Sequence, residues 1–277
     1  MYREAFALFT AILLSGTLYW GRNVETRAQM QQSNIASISL ASDTVSLNEP
    51  VIVNFTIHNA LSKPLTVDLG SGRKEGFQFT VVGPTGTKTQ VKPRVKGISR
   101  VGEMTIESGQ SFTQGICINE WFQFSVPGKY VVEVELDKPI RIEGERSTIV
   151  RSRLSLEVTP RNTGRLKEVC DVFIKQLLNS TSFEEACTAA IPLSYVTDEV
   201  AVPYLAQALT SNRMVESFVI DGLERIGNEE AVSLLISALN MGDALAPILA
   251  KQSLQKIESE SSDPVLRERI KQAMLKK

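Results

Sequence analysis

The spacing of apolar residues changes period once along the chain, and the change divides it. From Ile35 to about Pro160 apolar and polar residues alternate, whereas beyond Gly164 apolar residues return every three or four positions. Val51-Ile-Val-Asn-Phe-Thr-Ile-His58 puts Val51, Val53, Phe55 and Ile57 on one face and Asn54, Thr56 and His58 on the other, the pattern of a half-buried strand. Further strands are expected at 35–41, 65–69, 76–82, 98–106, 111–118, 130–136 and 147–158. Turn clusters separate them at Asn48-Glu-Pro50, Leu69-Gly-Ser-Gly72, Gly83-Pro-Thr-Gly86, Ser108-Gly109 and Pro127-Gly128. Short strands at this spacing favour a two-sheet antiparallel sandwich over a parallel sheet.

After the break at Pro160–Gly164, Leu166, Val169, Cys170, Phe173 and Leu177 fall on one helical face. Ser182-Phe-Glu-Glu185 has the form of a capping box and opens a second helix through about Tyr195. The text then repeats. Ala201, Val202, Leu205, Ala208 and Leu209 return 30 residues later as Ala231, Val232, Leu235, Ala238 and Leu239. Ile270, Ala273 and Met274 stand in the same inner roles in a last unit. A fixed period of this length is the signature of stacked helical hairpins, each completing its neighbour's core. Asp198, Asn228 and Asp263 stand where N-caps are wanted, and Pro264 follows Asp263 at the favoured first position. Ala208 and Ala238 are small enough to let helices approach closely.

Before Ile35 there is a third pattern. A short charged start is followed by the apolar run Ala5–Gly21 and a polar, Gln-rich stretch, Arg22–Asn34. Residues 1–28 are expected to be a signal peptide, with Thr26-Arg27-Ala28 as its best cleavage site, or an N-terminal membrane anchor. Residues 22–34 are the tether. The expected domains are therefore a β-sandwich at 33–160 and a helical repeat domain at 163–277, in an exported protein that is periplasmic, extracellular or anchored to the cell envelope.

Two resemblances refine this. Glu49-Pro50-Val51-Ile-Val-Asn-Phe and Pro127-Gly-Lys-Tyr130 resemble an early and a late strand of the immunoglobulin-like domains of bacterial envelope proteins. The resemblance implies that the Tyr130 hydroxyl bonds back to its corner, with Trp121, Phe122 and Phe124 filling the core nearby. There is no Cys…Trp…Cys pattern. Ile220-Asp-Gly-Leu223-Glu-Arg-Ile226-Gly227-Asn228-Glu-Glu-Ala231-Val232 resembles HEAT-like repeats, particularly the short type first known from phycobilin lyases. Such repeats imply an interaction scaffold, with Gln207, Ser211, Ser237 and Asn240 on the second helices as polar contacts for a protein partner. Val215-Glu216 stands where that family usually carries an arginine, which argues against lyase activity.

Composition removes several functions. A formal net charge of -1 without asymmetry between the halves offers no electrostatic case for nucleic acid or an anionic membrane surface, so membrane contact is expected only through the N-terminal segment. One histidine, His58, excludes most histidine-based catalysis and multi-histidine metal sites. Three cysteines, Cys117, Cys170 and Cys187, show no metal spacing. Cys170 and Cys187 would lie within about one helical turn of each other across an antiparallel hairpin. A disulfide and buried free thiols are the two readings, and the second carries more weight. No nucleophile motif or phosphate loop is present; neither a catalytic residue nor a cofactor or metal is expected. The expected function is a non-catalytic, protein-binding bacterial scaffold with an unidentified partner. The rivals are a protease inhibitor acting through sandwich loops such as 70–75 or 90–97, and, less favoured, a lyase or enzyme accessory subunit.

Overall fold

A computed structural model describes residues 35–93, 102–142, 147–242 and 245–275; the expected leader and tether lie outside these residues. A β region, 36–159, precedes an all-helical region, 163–275.

The strands are β1 (Ala36–Leu40), β2 (Thr44–Ser46), β3 (Ile52–His58), β4 (Leu65–Asp68), β5 (Phe77–Val82), β6 (Lys88–Val91), β7 (Glu103–Ile106), β8 (Ser111–Cys117), β9 (Gly128–Leu136), β10 (Arg141–Ile142) and β11 (Arg151–Thr159). They form three sheets, β1-β3-β8, β10-β4-β7 and β2-β11-β9-β5-β6. β1 runs antiparallel to β3, but β2, four residues later, lies parallel to β11, so the chain changes sheets between Leu40 and Thr44. The alternation of β3 holds as read: Val53, Phe55 and Ile57 are fully buried and meet Phe77, Phe79 and Val81 of β5. Phe55 touches Phe77 edge-on, with ring centroids 5.1 Å apart at 72°, joining the β3 sheet to the five-stranded sheet. The Tyr130 hydroxyl donates to the Val126 carbonyl at 2.7 Å, and Phe124 packs on the Tyr130 ring at 5.1 Å. Trp121 is half-buried, packing against the edge of the core with the Lys74 ammonium over its ring.

Three short strands, β2, β6 and β10, were not expected, and two boundaries differ. Within the expected 98–106 strand only 103–106 pairs among the described residues. The expected 147–158 strand pairs regularly only from Arg151, after an isolated bridge between Ile140 and Thr148.

The helices are α1 (Thr163–Leu178), α2 (Phe183–Ser194), α3 (Val202–Ser211), α4 (Glu216–Ile226), α5 (Glu229–Ala238), α6 (Ala246–Glu260) and α7 (Pro264–Leu275). They pack in two rows, α2-α4-α6 and α1-α3-α5-α7. The four caps expected from the sequence form, Asp198 capping the short turn that leads into α3. Ser182 Oγ accepts from the Glu185 amide, Asp198 from Val200, Asn228 from Ala231 and Asp263 from Val265. Gly227 closes α4 in the left-handed conformation, φ 60°, which glycine adopts without a Cβ penalty. All ten repeated inner positions are at most 5% exposed. In the last unit only Ile270 is fully inside; Ala273 and Met274 are partly buried.

That last unit also differs in residue type. Buried Ile220 of α4 corresponds to exposed Lys251 of α6, and buried Val232 of α5 to exposed Arg267 of α7. The outward face of the final hairpin is thus polar where inner hairpins are apolar, as in a capping repeat. Among the described residues, no helix is long and apolar enough to cross a membrane.

Candidate functional site

Four exposed polar residues were expected to form a binding face. Gln207 lies on α3 and Ser237 on the neighbouring α5, 30 residues apart and both exposed. Ser211 ends α3, and Asn240 falls two residues beyond α5. The Ser237 hydroxyl donates to the Ser233 carbonyl at 3.0 Å, and the Asn240 amide to the Ile236 carbonyl at 3.5 Å. All four are exposed and uncharged, and two of them are engaged by the backbone of α5.

A second surface was not foreseen. Phe183, Met214 and Leu245 recur 31 residues apart at the starts of α2, α4 and α6, and are 57%, 49% and 51% exposed; Ile248, one turn into α6, is 55% exposed. Because the three helices run side by side in one direction, these side chains line one edge of the stack. Reading only the inner positions of the repeat hides this series. Reading the residues that lead into every second helix at the 31-residue spacing would have revealed it.

Burial sets the state of the cysteines. Cys117 and Cys170 are buried and Cys187 half-buried, all three as free thiols, in keeping with the more heavily weighted of the two readings. Burial pushes the thiols of Cys117 and Cys170 up to about 12 and that of Cys187 to about 11, away from the thiolate that nucleophilic chemistry needs. His58 ends β3 in solvent, its Nδ1 2.8 Å from the Ser111 hydroxyl. Among the described residues no three His, Cys, Asp or Glu side chains converge on a metal position.

The densest polar constellation lies at the seam between the two regions. At one end of the α1–α2 hairpin, Glu49 is 6% exposed and accepts from the Ser46 amide at 2.7 Å and from Arg165 in a fork, at 2.6 and 3.0 Å. The Arg165 guanidinium also reaches the Thr44 carbonyl, and the bond to Glu49 holds it still more firmly charged. Beside it Arg161 grips Asp198 at 2.6 and 3.0 Å, which keeps that carboxyl below its ordinary range. Asp198 therefore both caps its own turn and binds the interdomain linker. Asn48 adds bonds to Asp198 and Thr197, and Ser46 Oγ accepts from the Asn162 amide at 2.8 Å.

At the other end of α2, Arg73 donates to Glu184 at 3.1 Å while its guanidinium lies 5.3 Å from the Phe112 ring centroid. Lys74 of the β region pairs with Glu120 at 2.5 Å over the Trp121 ring, and Arg225 of α4 stacks on Tyr195, just past the end of α2, at 3.9 Å. Burial pushes the Tyr195 hydroxyl up to about 12, and Glu120 of the β region is close enough to add to the effect. Asn48 and Arg73 are the only non-glycine residues with positive φ among the described residues, at 71° and 56°. Such a backbone is tolerated by Asn but costs Arg about 1 kcal/mol or more. The Arg73 Nε is also buried with no acceptor among the described residues.

Comparison with known proteins gives weak structural likenesses, among them these three. A CARDB domain from Pyrococcus furiosus, crystallised with di-metal ions, is 9% identical, with 45% of this chain and 90% of that one covered at a TM-score of 0.25. The periplasmic chaperone SfaE is 13% identical, covering 46% and 59% at 0.24, and the sporulation control protein Spo0M of Bacillus subtilis is also 13% identical, covering 52% and 55% at 0.23. No curated protein sequence matches the chain. Residues 38–159, nearly the whole β region, match a family model described as flagellar collar protein C, N-terminal domain, so this region is similar to that domain.

Proposed function

We propose that the chain is a non-enzymatic structural component of an exported, envelope-associated bacterial protein assembly. The observation that carries this reading is the match of residues 38–159 to a domain named for a flagellar collar. In this reading the β region is an immunoglobulin-like sandwich; its first strands switch sheets so that β2 lies parallel to β11, which supports that assignment. The two helical rows, with their repeated inner positions, support a HEAT-like stack that presents a binding surface. Gln207, Ser211, Ser237 and Asn240 form that surface by analogy with such repeats.

A specific observation favours a second surface for the same role: the exposed edge of Phe183, Met214, Leu245 and Ile248, an apolar series of the kind that marks protein contacts. Protease inhibition through residues 70–75 is less well supported, because Arg73 in that loop is engaged with Glu184 of the helices.

Tagged full-length chain, crosslinked in its own cells and followed through fractionation, is expected in the envelope, crosslinked to flagellar proteins. Recovery as an uncrosslinked cytosolic monomer would overturn the proposal. Gln207→Arg with Ser237→Arg, set against Met214→Glu with Leu245→Glu, assigns the surface: the pair that abolishes the crosslink marks the contact.

A further inference from the structure

The geometry points to the β region acting as a bracket that fixes the direction of the helical stack, by holding the α1–α2 hairpin at both ends. A covalent linker alone leaves two domains free to swing, and a single contact beside the linker leaves a pivot. Here the contacts are separated. Glu49 and Asn48 engage Arg165, Thr197 and Asp198 where α1 starts and α2 has ended, while Arg73 engages Glu184 at the start of α2. Glu184 and Ser194 lie ten residues apart on α2, about 15 Å along its axis. Two attachments at that separation, one on each side of the hairpin, remove the rotation that either alone permits.

Backbone conformation points the same way. Asn48 and Arg73 adopt positive φ in the two loops that make these attachments, and each sends its side chain to the helical region. A loop that only had to turn would be better served by glycine at both places. Here both side chains reach across to the helices. The function this serves is placement: whatever binds the stack meets it at a set angle to the β region.

Glycine also supplies the test. Spin labels at Lys88→Cys on β6 and Gln252→Cys on α6, both exposed, are introduced in a Cys187→Ser background. Pulsed electron–electron distance measurement on the full chain is expected to give one narrow distribution. Asn48→Gly with Arg73→Gly relaxes both backbones, so loops that only turn predict an unchanged or higher melting temperature and an unchanged width. The bracket predicts at least a twofold broader distribution with circular dichroism intact. Arg161→Gln with Arg165→Gln, which leaves both loops' sequences untouched, must broaden it too. Exchanging the second pair, Arg73→Glu with Glu184→Arg, should restore most of the narrowness lost on Arg73→Glu alone. A wild-type distribution already broad, or glycine and glutamine variants as narrow as wild type, overturns the inference.

Discussion

Replacing Arg165 by Gln isolates the strongest attachment of the seam. The guanidinium gives two charge-assisted bonds to Glu49 and one to the Thr44 carbonyl, with a weaker 3.3 Å contact to Ser42 Oγ. Its loss leaves a carboxylate that is 6% exposed with the Ser46 amide as its remaining donor. Removing one partner of a fully buried ion pair costs about 3–5 kcal/mol, mostly as the unpaired charge that remains. Arg165 itself is 35% exposed, so water can enter the vacated space and offset part of that cost. The Ser46 amide offsets more. About 2–3 kcal/mol is left, a change of roughly 30- to 150-fold in the unfolding constant. Urea unfolding should be followed by far-UV circular dichroism, which reports the helices, and in a Trp20→Phe background by the fluorescence of Trp121, which sits on the β side of the seam. Both midpoints should fall in Arg165→Gln with little change of slope. Glu49→Gln alone should cost less, because a neutral amide can be buried there more cheaply, and the double variant should reveal a coupling of about 2 kcal/mol. A loss below about 0.5 kcal/mol, the ordinary range of surface substitutions, would refute the reasoning, as would strict additivity of the two changes.

Other substitutions test other parts of the molecule. Ala208→Leu and Ala238→Leu, each at most 1% exposed between helices, should each destabilise by about 1–3 kcal/mol through overpacking, measured by thermal unfolding. Tyr130→Phe removes the hydrogen bond to Val126 and should cost about 1 kcal/mol in urea without altering the far-UV spectrum. Asp198 has a folded-state pKa below its ordinary 3.8, chiefly through its bond to Arg161, so its contribution is present above that value and is lost as pH falls through the folded one. Asp198→Asn should accordingly be less stable than wild type at neutral pH and converge on it in acid; a gap that stays constant across the acid range would contradict the sign. Cys117 and Cys170 should resist alkylation at pH 8 in the folded protein, with Cys187 reacting slowly and all three rapidly in urea, read by mass spectrometry.

The division at Pro160–Gly164 and the inner helix positions were legible because each depends on residues close in sequence: a period, a cap, a proline. β2 and β10 were not, since two or three residues carry no measurable alternation, nor was β6, where Val91 is the one apolar residue in Lys88–Val91. The seam was illegible for a different reason. Its partners lie far apart, Glu49 from Arg165 and Asn48 from Asp198, and no local pattern pairs a particular arginine with a particular acid. Asn48-Glu-Pro50, Leu69-Gly-Ser-Gly72 and Pro160–Gly164 were read as turns, and the second also as part of a candidate inhibitory loop, but not as contacts with the helices, yet these turns or their next residues carry the attachments. Turn chemistry announces that the chain reverses, not what the reversed segment will touch. Tyr130 succeeded because its acceptor is four residues away.

The parallel pairing of β2 with β11 has a mechanical consequence. Glu157 donates to the Asp43 carbonyl, Leu47 to the Thr159 carbonyl, and the Thr159 hydroxyl to the Val45 carbonyl, so bonds run along the whole of the short shared length. β2 is entered at the end where Thr44 faces Glu157, and β11 is left at the end where Ser46 faces Thr159. A pull between the residues before β2 and the helices after β11 therefore slides the two strands past each other, and the bonds between them share the load. The same bonds in an antiparallel hairpin pulled from its open end would be loaded one at a time and peel. If the chain is held at its start and strained at its helices, this three-residue strand is its shear joint.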